Sequence, residues 1–498
     1  MSFHSNPVLL LRTIIIRRTA TSIASALLPL LACTNPAAAA SHAYDVSVDA
    51  GLTRADITAR FAAPVRSIFA RASGADQYLL AAEDCTSGEP LRPQNRHLLL
   101  PDDGIRCLRY SIDLEKATRD DRRNESLQEG NIVVSPTVWM WRPRLGGDDE
   151  IRVAFSMAAG AQVSVPWPPI DDQDDTFRLM ASPQSGSAIS VFGDFDSFVA
   201  GVGGVDLPVV FLRPIERAAV APAVVESIIA WVRDNANNIT LAYGRFPNPL
   251  ARVVLLPQTD SSRRRESAVR FGRVVRDGGE TVELLIDPGQ PIESFYDSWT
   301  ATHEFSHLML PYVSRNQRWI SEGFAQYYQN ILLARSGRYT QQYAWQKLHD
   351  GLQRGQDSAP TLSPNAAANA DERDSRMKVY WSGAALALMA DVELRQRSAG
   401  AESLDDVLDR FQRCCLPSTT TWTGIELFRK FDTFIDKPLF VELYRQYAET
   451  PGFPDTSGLL KRLGVELQGT QVRLRDDTEL AEVRATLTTQ RYTGESDN

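Results

Sequence analysis

The chain has 498 residues, long enough for two or three domains with separate cores. Apolar residues make up 43% of it and charged residues 23%, a balance that excludes a mainly disordered chain, a collagen-like repeat or a polytopic membrane protein. Acidic residues outnumber basic ones by 62 to 53, and the net charge of −9 argues against the basic surface of a nucleic-acid binder. We therefore expect no nucleic-acid partner.

The first 40 residues predict a signal peptide. Arginines precede an apolar stretch, Ile23 to Ala32, and a run of alanines follows it. Because a bilayer span needs about 20 apolar residues, this stretch is too short to cross a membrane, and we expect no transmembrane span in the mature chain. Cleavage near Ser41 would give an exported protein, periplasmic or secreted. An alternative interpretation takes Cys33 as the lipid-anchored cysteine of a lipobox.

Export would place the cysteines in an oxidising compartment, where they can pair. Cys85 and Cys107 belong to one strand-rich region and predict a disulfide, although two strands can also bury free cysteines. Cys414 and Cys415 are adjacent, and a bond between neighbours is strained and rare. The chain has no C-x-x-C pair, so we expect neither a cysteine zinc site nor a thioredoxin-like redox site.

Residues 41–200 predict an N-terminal β-sandwich domain. Tyr44, Val46 and Val48 alternate with polar residues, as in a half-buried strand. β-Branched and aromatic residues are concentrated in segments separated by Asp, Gly and Pro, and no long helical periodicity occurs. The strand-like segments are 132–141, 151–157 and 162–167. Short strands between turns in a region of this length are typical of a sandwich.

Residues 201–450 predict a second, mainly helical domain. It opens with strand-like segments at 207–212, 252–256 and 282–286 and a helix near 224–232. The remaining helices are predicted at 298–310, 320–335, 340–353, 377–397, 403–413, 422–434 and 437–448. Residues 360–374 predict a polar surface loop. Residues 451–498 form a C-terminal extension with a strand at 471–474 and a polar helix. The fold class is therefore α+β and multidomain.

The motif H-E-x-x-H occupies residues 303–307. His303 and His307, four residues apart, lie on one face of a helix, so their ring nitrogens can share a Zn²⁺ ion. Glu304 points about 100° around the helix and can reach the open side of the metal. A carboxylate there can take a proton from water and pass it to a leaving amine. The alternative to a zinc site is a helix whose two histidines face solvent and bind no metal.

A catalytic zinc ion needs a third protein ligand, and Glu322 is the candidate. It is predicted in the first turn of the second helix, after the turn that follows Pro311. The alternative role for Glu322 is to complement the positive end of that helix. Because two histidines precede it at the spacing of a metal site, we favour the ligand role for Glu322. This gives a His₂Glu site and one zinc ion per chain.

Two groups of motifs resemble a known family. The first pairs residues 303–307 with Trp319-Ile320-Ser321-Glu322-Gly323-Phe324 and Tyr327-Tyr328, and the second is Tyr380-Trp381-Ser382-Gly383 with the segments 391–395 and 403–407. Together they resemble the M61 glycyl aminopeptidase family of gluzincin metallopeptidases. The resemblance implies a thermolysin-like catalytic domain behind an N-terminal β-sandwich.

The resemblance also implies residue roles. His303, His307 and Glu322 would hold zinc, Glu304 would be the general base and Tyr380 would be the oxyanion donor. A phenol suits that last role because it stays protonated at neutral pH and can donate a hydrogen bond to a developing oxyanion. From the residues alone, we would favour Tyr380 as an aromatic residue at a helix start, and only the resemblance implies the catalytic role.

The sequence departs from the family pattern in three places. The segment between His307 and Glu322 is short. The family's Gly-Gly-x-Glu-His segment, whose glutamate binds the substrate amine, has as its nearest counterpart Gly278-Gly279-Glu280. Glu280 could lie on the edge of the cleft or be a hairpin-turn residue. The C-terminal PDZ domain that is usual in the family is expected to be missing.

We interpret the sequence as that of an exported zinc metallopeptidase that hydrolyses peptides or proteins, with aminopeptidase action as the finer expectation. An endopeptidase or a hydrolase of non-peptide amides is the alternative among enzymes. The alternative outside enzymes is a zinc-stabilised envelope binding protein. Glu304 argues against the latter, because a purely structural metal site needs no general base.

Overall fold

The computed structural model describes residues 41–124, 130–146, 149–170, 175–183, 188–213, 220–258, 267–370 and 372–489. The predicted signal peptide and the alternative lipid anchor at Cys33 lie outside the described residues.

Short strands dominate the N-terminal region, as predicted. Its strands are β1 (Ser41–Val48), β2 (Arg54–Val65), β3 (Ile68–Phe69), β4 (Leu79–Asp84), β5 (Pro93–Gln94), β6 (His97–Leu98), β7 (Ile105–Asp113), β8 (Asn131–Val134), β9 (Glu150–Ser156), β10 (Gln162–Ser164), β11 (Thr176–Met180) and β12 (Ser190–Gly193). Its helices are α1 (Leu114–Asp120) and α2 (Pro136–Trp139).

These strands form three sheets. The largest has the order β11-β9-β1-β2-β7-β4, and the others have the orders β10-β12-β8 and β3-β6-β5. In β1 the apolar residues Tyr44, Val46 and Val48 are buried, while Asp45 and Ser47 are more exposed. The apolar face of β1 therefore packs against a core. This core also contains the fully buried rings of Trp139 and Trp141.

Both cysteine pairs are bonded. Cys85, just after β4, and Cys107, in β7, have their Cα atoms 5.3 Å apart, which confirms the predicted pairing. Cys414 and Cys415 are also joined by a disulfide. This second pair is an instance of the bond between neighbouring cysteines that the sequence analysis described as rare.

A five-stranded sheet begins the second region. Its strands are β13 (Asp196–Val202), β14 (Val205–Phe211), β15 (Arg252–Pro257), β16 (Val269–Arg276) and β17 (Glu280–Ile286), in the order β13-β14-β15-β17-β16. The long helix α3 (Pro222–Tyr243) connects the parallel strands β14 and β15 and packs Trp231 into the core. Strand β16 is at one edge of this sheet. The division of the chain into domains at residues 200 and 450 stays a prediction.

Helices then dominate, which confirms the α+β fold class. They are α4 (Ile292–Asp297), α5 (Thr300–Ser306), α6 (Arg318–Arg335), α7 (Gln341–Asp357), α8 (Pro364–Asn369), α9 (Glu372–Arg397), α10 (Leu404–Cys415), α11 (Gly424–Asp432), α12 (Phe440–Tyr447), α13 (Ser457–Arg462) and α14 (Ala481–Thr489). The hairpin of β18 (Val465–Gln468) and β19 (Gln471–Leu474) precedes α14. Among the described residues, no helix combines the length and the apolar character needed to span a bilayer.

The predicted surface loop at 360–374 is in part helical, which corrects the sequence interpretation. Ser363 caps α8 by accepting a hydrogen bond from the Ala366 amide at 3.2 Å, and Pro364 occupies the first helical position. The alanines that follow have the highest helix propensity of any residue. The polar composition concealed a capped helix, and α9 begins within the same segment.

Helices α6 and α9 cross at two glycines. A Cβ atom on Gly323 would lie 2.2 Å from the Gly383 Cα atom, and one on Gly383 would lie 2.1 Å from the Trp319 carbonyl oxygen. Real side chains do not approach so closely, so any larger residue would push the helices apart. The glycines therefore set the distance between the helix that carries Glu322 and the helix that carries Tyr380.

We expect Gly323→Ala to destabilise the protein by about 1–3 kcal/mol or more, because the added methyl overlaps backbone that cannot move aside without separating α6 from α9. Thermal or denaturant unfolding measures the effect. The matched control is Gly458→Ala in α13, where an added Cβ meets nothing within 4 Å. If both variants unfold at the same denaturant concentration, the glycines do not set the distance between α6 and α9.

Candidate metal centre and active site

The two histidines of the motif lie where α5 ends. His303 is in α5, and His307 begins the single 3₁₀ turn that follows, so the predicted helix at 298–310 is shorter and tightens at its end. Both side chains are buried, and their ring centroids are 4.9 Å apart in an edge-to-face arrangement. The spacing of four residues brings both rings to one face, as expected.

Glu322 meets both histidines. Its Oε2 atom lies 3.4 Å from His303 Nε2 and 3.5 Å from His307 Nε2, and the three donor atoms lie within 4.8 Å of one another. Helix α6 begins at Arg318, so Glu322 is in the second turn and not in the first as predicted. The alternative role at the helix N-terminus therefore loses its basis.

The donor set fits a zinc ion. Donors bound at about 2.0–2.1 Å to a tetrahedral Zn²⁺ lie about 3.3–3.4 Å apart, close to the two separations between Glu322 and the histidines. The His307 Nδ1 atom lies 3.1 Å from the Ser321 hydroxyl, a contact that orients the ring and directs Nε2 toward the centre. Two imidazoles and a carboxylate make up the ligand set of many catalytic zinc sites.

Electrostatics keep Glu322 ionised. Burial alone would raise the pKa of its carboxyl group, but the charge of His307 and hydrogen bonds from both histidine rings outweigh that effect and hold the pKa well below its usual range. Binding of a divalent cation needs this ionised carboxylate together with neutral imidazoles, so the cation would take the place of the positive charge that the histidine rings carry beside Glu322.

Glu304 faces the cleft from α5, on a different side of the helix from the histidine pair. It is 7% exposed, and burial raises the pKa of its carboxyl group to about 8. The negative charges of Glu322 and Glu283 add to this rise, while His303 and Arg273 oppose it. A carboxyl group with a raised pKa is suited to exchange protons near neutral pH.

Gly272 allows strand β16 to pass directly over Glu304. A Cβ atom at this position would lie 2.6 Å from Glu304 Cγ and 2.9 Å from Thr300 Cγ2. The next residue along the strand, Arg273, forms an ion pair with the buried Glu283 at 2.7 Å. At Gly272 the edge strand therefore packs directly against Glu304.

The short Gly-Gly-Glu segment supports, through Arg276, the 3₁₀ turn that begins at His307. Glu280 is buried at the start of β17, where it pairs with Arg276 and accepts a hydrogen bond from Asn248 Nδ2 at 2.6 Å. Arg276 in turn donates to the carbonyl oxygens of His307 and Leu310, at 3.0 and 3.1 Å. Glu280 is not among the residues that line the cleft. Glu280 adjoins the hairpin turn, in agreement with its interpretation as a hairpin residue and not as a residue at the edge of the cleft.

The two glycines of this segment form the hairpin turn against the N-terminal sheets. Gly278 has a φ of 77°, and a Cβ on Gly279 would lie 1.6 Å from the Pro166 carbonyl oxygen. Trp167 also donates its indole N–H to the Asp277 carbonyl at 2.9 Å. The glycines are therefore needed for packing between the two regions of the chain.

Tyr380 approaches the same site from α9. Its ring centroid lies 5.9 Å from that of His303, and the side chain is half-buried. Tyr380 and Glu304 line one cleft, so the structure brings together all five residues predicted from the sequence. Tyr380 lies one turn before Gly383, where the helix crossing brings α9 close to α6.

The cleft has a volume of about 1040 Å³ and contains exposed aromatic groups. Trp299, just before α5, is 40% exposed and packs edge-to-face on His303, with ring centroids 5.5 Å apart. Phe271 on β16 is 48% exposed and lines the cleft from the edge strand. Exposed aromatic side chains in a concave site are typical of ligand contacts.

A buried polar network lies behind the site. Tyr327 donates to Asp391 at 2.7 Å, and Tyr328 donates to Asp405 at 3.0 Å. Arg395 joins the two aspartates, at 2.8 Å from Asp391 and 3.3 Å from Asp405. The family-like segments at 391–395 and 403–407 thus brace α6, the helix that carries Glu322.

Residues 298–384 match the family model described as M61 glycyl aminopeptidase, which confirms the resemblance predicted from the sequence. No curated protein sequence matches the chain. Solved structures share its fold. An aminopeptidase N family protein from Idiomarina loihiensis has a TM-score of 0.61 at 14% identity, with 86% of this chain and 79% of that chain covered.

Two further structures have similar folds. An M1 zinc metallopeptidase from Deinococcus radiodurans has a TM-score of 0.50 at 14% identity, with 83% of this chain and 94% of that chain covered. Yeast LTA4 hydrolase in complex with bestatin has a TM-score of 0.51 at 11% identity, with coverage of 84% and 68%. The family match supports a peptidase, and these neighbours share the fold.

Proposed function

We propose that this protein is an exported, zinc-dependent metallopeptidase. The observation that carries the proposal is the convergence of His303, His307 and Glu322 on one point beside Glu304 and Tyr380. The match to a peptidase family over the segment that contains all five residues supports it.

His303, His307 and Glu322 would hold the Zn²⁺ ion, which when bound supplies a Lewis acid that polarises a peptide carbonyl and lowers the pKa of water. Glu304 takes the proton of the attacking water and later gives it to the departing amine. Tyr380 donates a hydrogen bond to the oxygen that becomes negative as the carbonyl is attacked.

The walls of the cleft would bind the peptide. In the part of the chain that the structure describes, one side of β16 has no neighbouring strand, so an extended peptide can pair with its backbone. Phe271 on that strand and Trp299 opposite offer apolar contact to side chains. Such pairing would lay the scissile bond beside Glu304, over which the strand passes at Gly272.

The finer proposal is aminopeptidase action. The name of the matched family and the names of its structural neighbours support it. An aminopeptidase needs an anion for the substrate's free amine. Glu280 is engaged with Arg276, whereas Asp297 is exposed and lines the cleft, so we propose Asp297 for this contact.

A mixed peptide library with free and acetylated N-termini tests the function. Aminopeptidase action predicts stepwise loss of residues from free N-termini only, and a rise in KM for these peptides in Asp297→Asn. Internal cuts in acetylated peptides would instead establish an endopeptidase. If no peptide is cut by the zinc-loaded protein, a hydrolase of other amides or a binding protein becomes the better interpretation.

Export is a separate part of the proposal. The residue pattern of the first 40 positions and the bonded pair Cys85–Cys107 support it, since disulfides persist in oxidising compartments. Sequencing of the N-terminus of the mature protein tests it. We expect a start near Ser41, whereas a lipid-modified Cys33 would favour the anchored alternative.

A further inference from the structure

A second cavity of about 310 Å³ opens beside the main cleft, between helices α6, α7 and α9. It shares Trp299, Arg376 and Tyr380 with the main cleft, so the two spaces adjoin at these three residues. Three basic side chains line it, and no carboxylate is among its described lining residues. We call Lys347, Arg354 and Arg376 the cationic subsite.

Helical periodicity places two of these cations on one face of α7, and the packing of α9 beside that helix adds the third. Lys347 and Arg354 are seven residues apart on α7, and Arg376 lies one turn before Tyr380 on α9. The positive charge stands out in a chain whose net charge is −9. A concave surface lined by one sign of charge concentrates ligands of the opposite sign.

The three cations lack partners of opposite charge within the described ranges, since no carboxylate there forms an ion pair with them. Lys347 Nζ lies 5.5 Å from the ring centroid of Tyr343, and the Arg354 guanidinium lies 5.6 Å from that of Trp381. These aromatic contacts orient the cations without neutralising them. Their positive charges remain available to a ligand.

Helix α6 contributes two buried amide side chains to the wall of this cavity. Gln329 and Asn330 of α6 are 2% and 1% exposed, and within the described part of the chain their side-chain oxygens accept no hydrogen bond. A buried acceptor without a donor is unfavourable until a ligand supplies one. The cavity therefore offers donors for an anion and acceptors for an N–H group.

We infer that the cavity binds an acidic side chain of the peptide, on a residue next to the scissile bond. The carboxylate of an aspartate or glutamate residue would meet the cationic subsite, and the peptide N–H groups beside it would donate to Gln329 or Asn330. A simple inorganic anion would satisfy only the cations. This inference rests on the proposed peptidase function and adds a substrate class: peptides with an acidic residue at the cleavage point.

Matched peptides that differ only in glutamate or glutamine at the residue before or after the scissile bond test this inference. We expect the wild type to favour the glutamate peptide in kcat/KM. In Arg354→Gln and Lys347→Gln the ratio of kcat/KM between the two peptides should fall about tenfold, because each removes one charge-assisted hydrogen bond. The control Lys437→Gln removes an exposed charge elsewhere and should leave the ratio unchanged.

Affinity of the two peptides for Glu304→Gln protein, measured by calorimetry, separates binding from hydrolysis. A preference for glutamate in binding, lost with Arg354→Gln, would support the subsite even if no peptide is cut. Equal affinity and equal kcat/KM within twofold in the wild type would overturn it. Peptides with an amidated C-terminus show whether the subsite binds the terminal carboxylate instead. If amidation removes the preference, the assignment to an acidic side chain is overturned.

Discussion

Glu304→Gln is expected to lower kcat by roughly 10²–10⁴-fold or more while leaving the metal in place. The substitution keeps the size and hydrogen-bonding shape of the side chain, so it fits under Gly272 as the glutamate does. It removes the group that takes the proton from water and returns it to the amine. Because this group acts mainly in the transition state, KM should change less than kcat.

The matched control for this variant is Glu226→Gln, which makes the same chemical change on the exposed face of α3. It should hydrolyse peptides at the wild-type rate. Metal content and unfolding temperature of Glu304→Gln should equal those of the wild type. A Glu304→Gln protein that keeps a tenth or more of the wild-type kcat would show that another group is the base.

Tyr380→Phe is expected to lower kcat by about 10²–10³-fold, or roughly 2.7–4 kcal/mol of transition-state stabilisation. The ring stays, with its packing near His303, and only the hydroxyl that would donate to the oxyanion is lost. Zinc content and folding should survive, since Tyr380 is not one of the three proposed ligands. Steady-state kinetics on a peptide cut by the wild type measures the loss.

Tyr447→Phe, a hydroxyl deletion on α12 outside the cleft, is the control for Tyr380→Phe. If Tyr380→Phe turns over within about twofold of the wild type, the tyrosine is a packing residue. The role carried over from the family would then fail at this position, while the ligand assignment would stand.

The three proposed zinc ligands could be found from the sequence because their signal is local. His303 and His307 repeat at the helical period, and Glu322 follows in the next helix, so the periodicity of α5 and the order of two helices suffice. The alternation in β1 and the long helix α3 were predictable for the same reason. Each depends on residues close together in the chain.

The features that position the site depend on contacts between distant segments, which no local pattern reveals. Gly272 is needed because α5 lies beneath β16, and Gly323 because α9 crosses α6. Arg276 reaches the carbonyl of His307 across 31 positions of sequence. The short helix α8 was missed because polar residues hid its Ser-Pro cap.

The cationic subsite illustrates the same limit. Its members come from α7 and α9, and only the packing of these helices against α6 makes them neighbours. From the sequence, Lys347 and Arg354 resemble ordinary solvent-exposed residues of an amphipathic helix. The spacing of Arg376 one turn before Tyr380 was the single local signal that could have found it.

Titration of chelator-treated protein with Zn²⁺, followed by the rate of peptide hydrolysis, tests the central claim most directly. The His303–His307–Glu322 centre predicts no hydrolysis without metal and a linear rise that ends at one equivalent of zinc per chain. Glu322→Ala should lose the sharp end point, because a two-histidine site binds zinc more weakly. Full hydrolysis by the metal-free protein, or an unchanged end point in Glu322→Ala, would contradict the account.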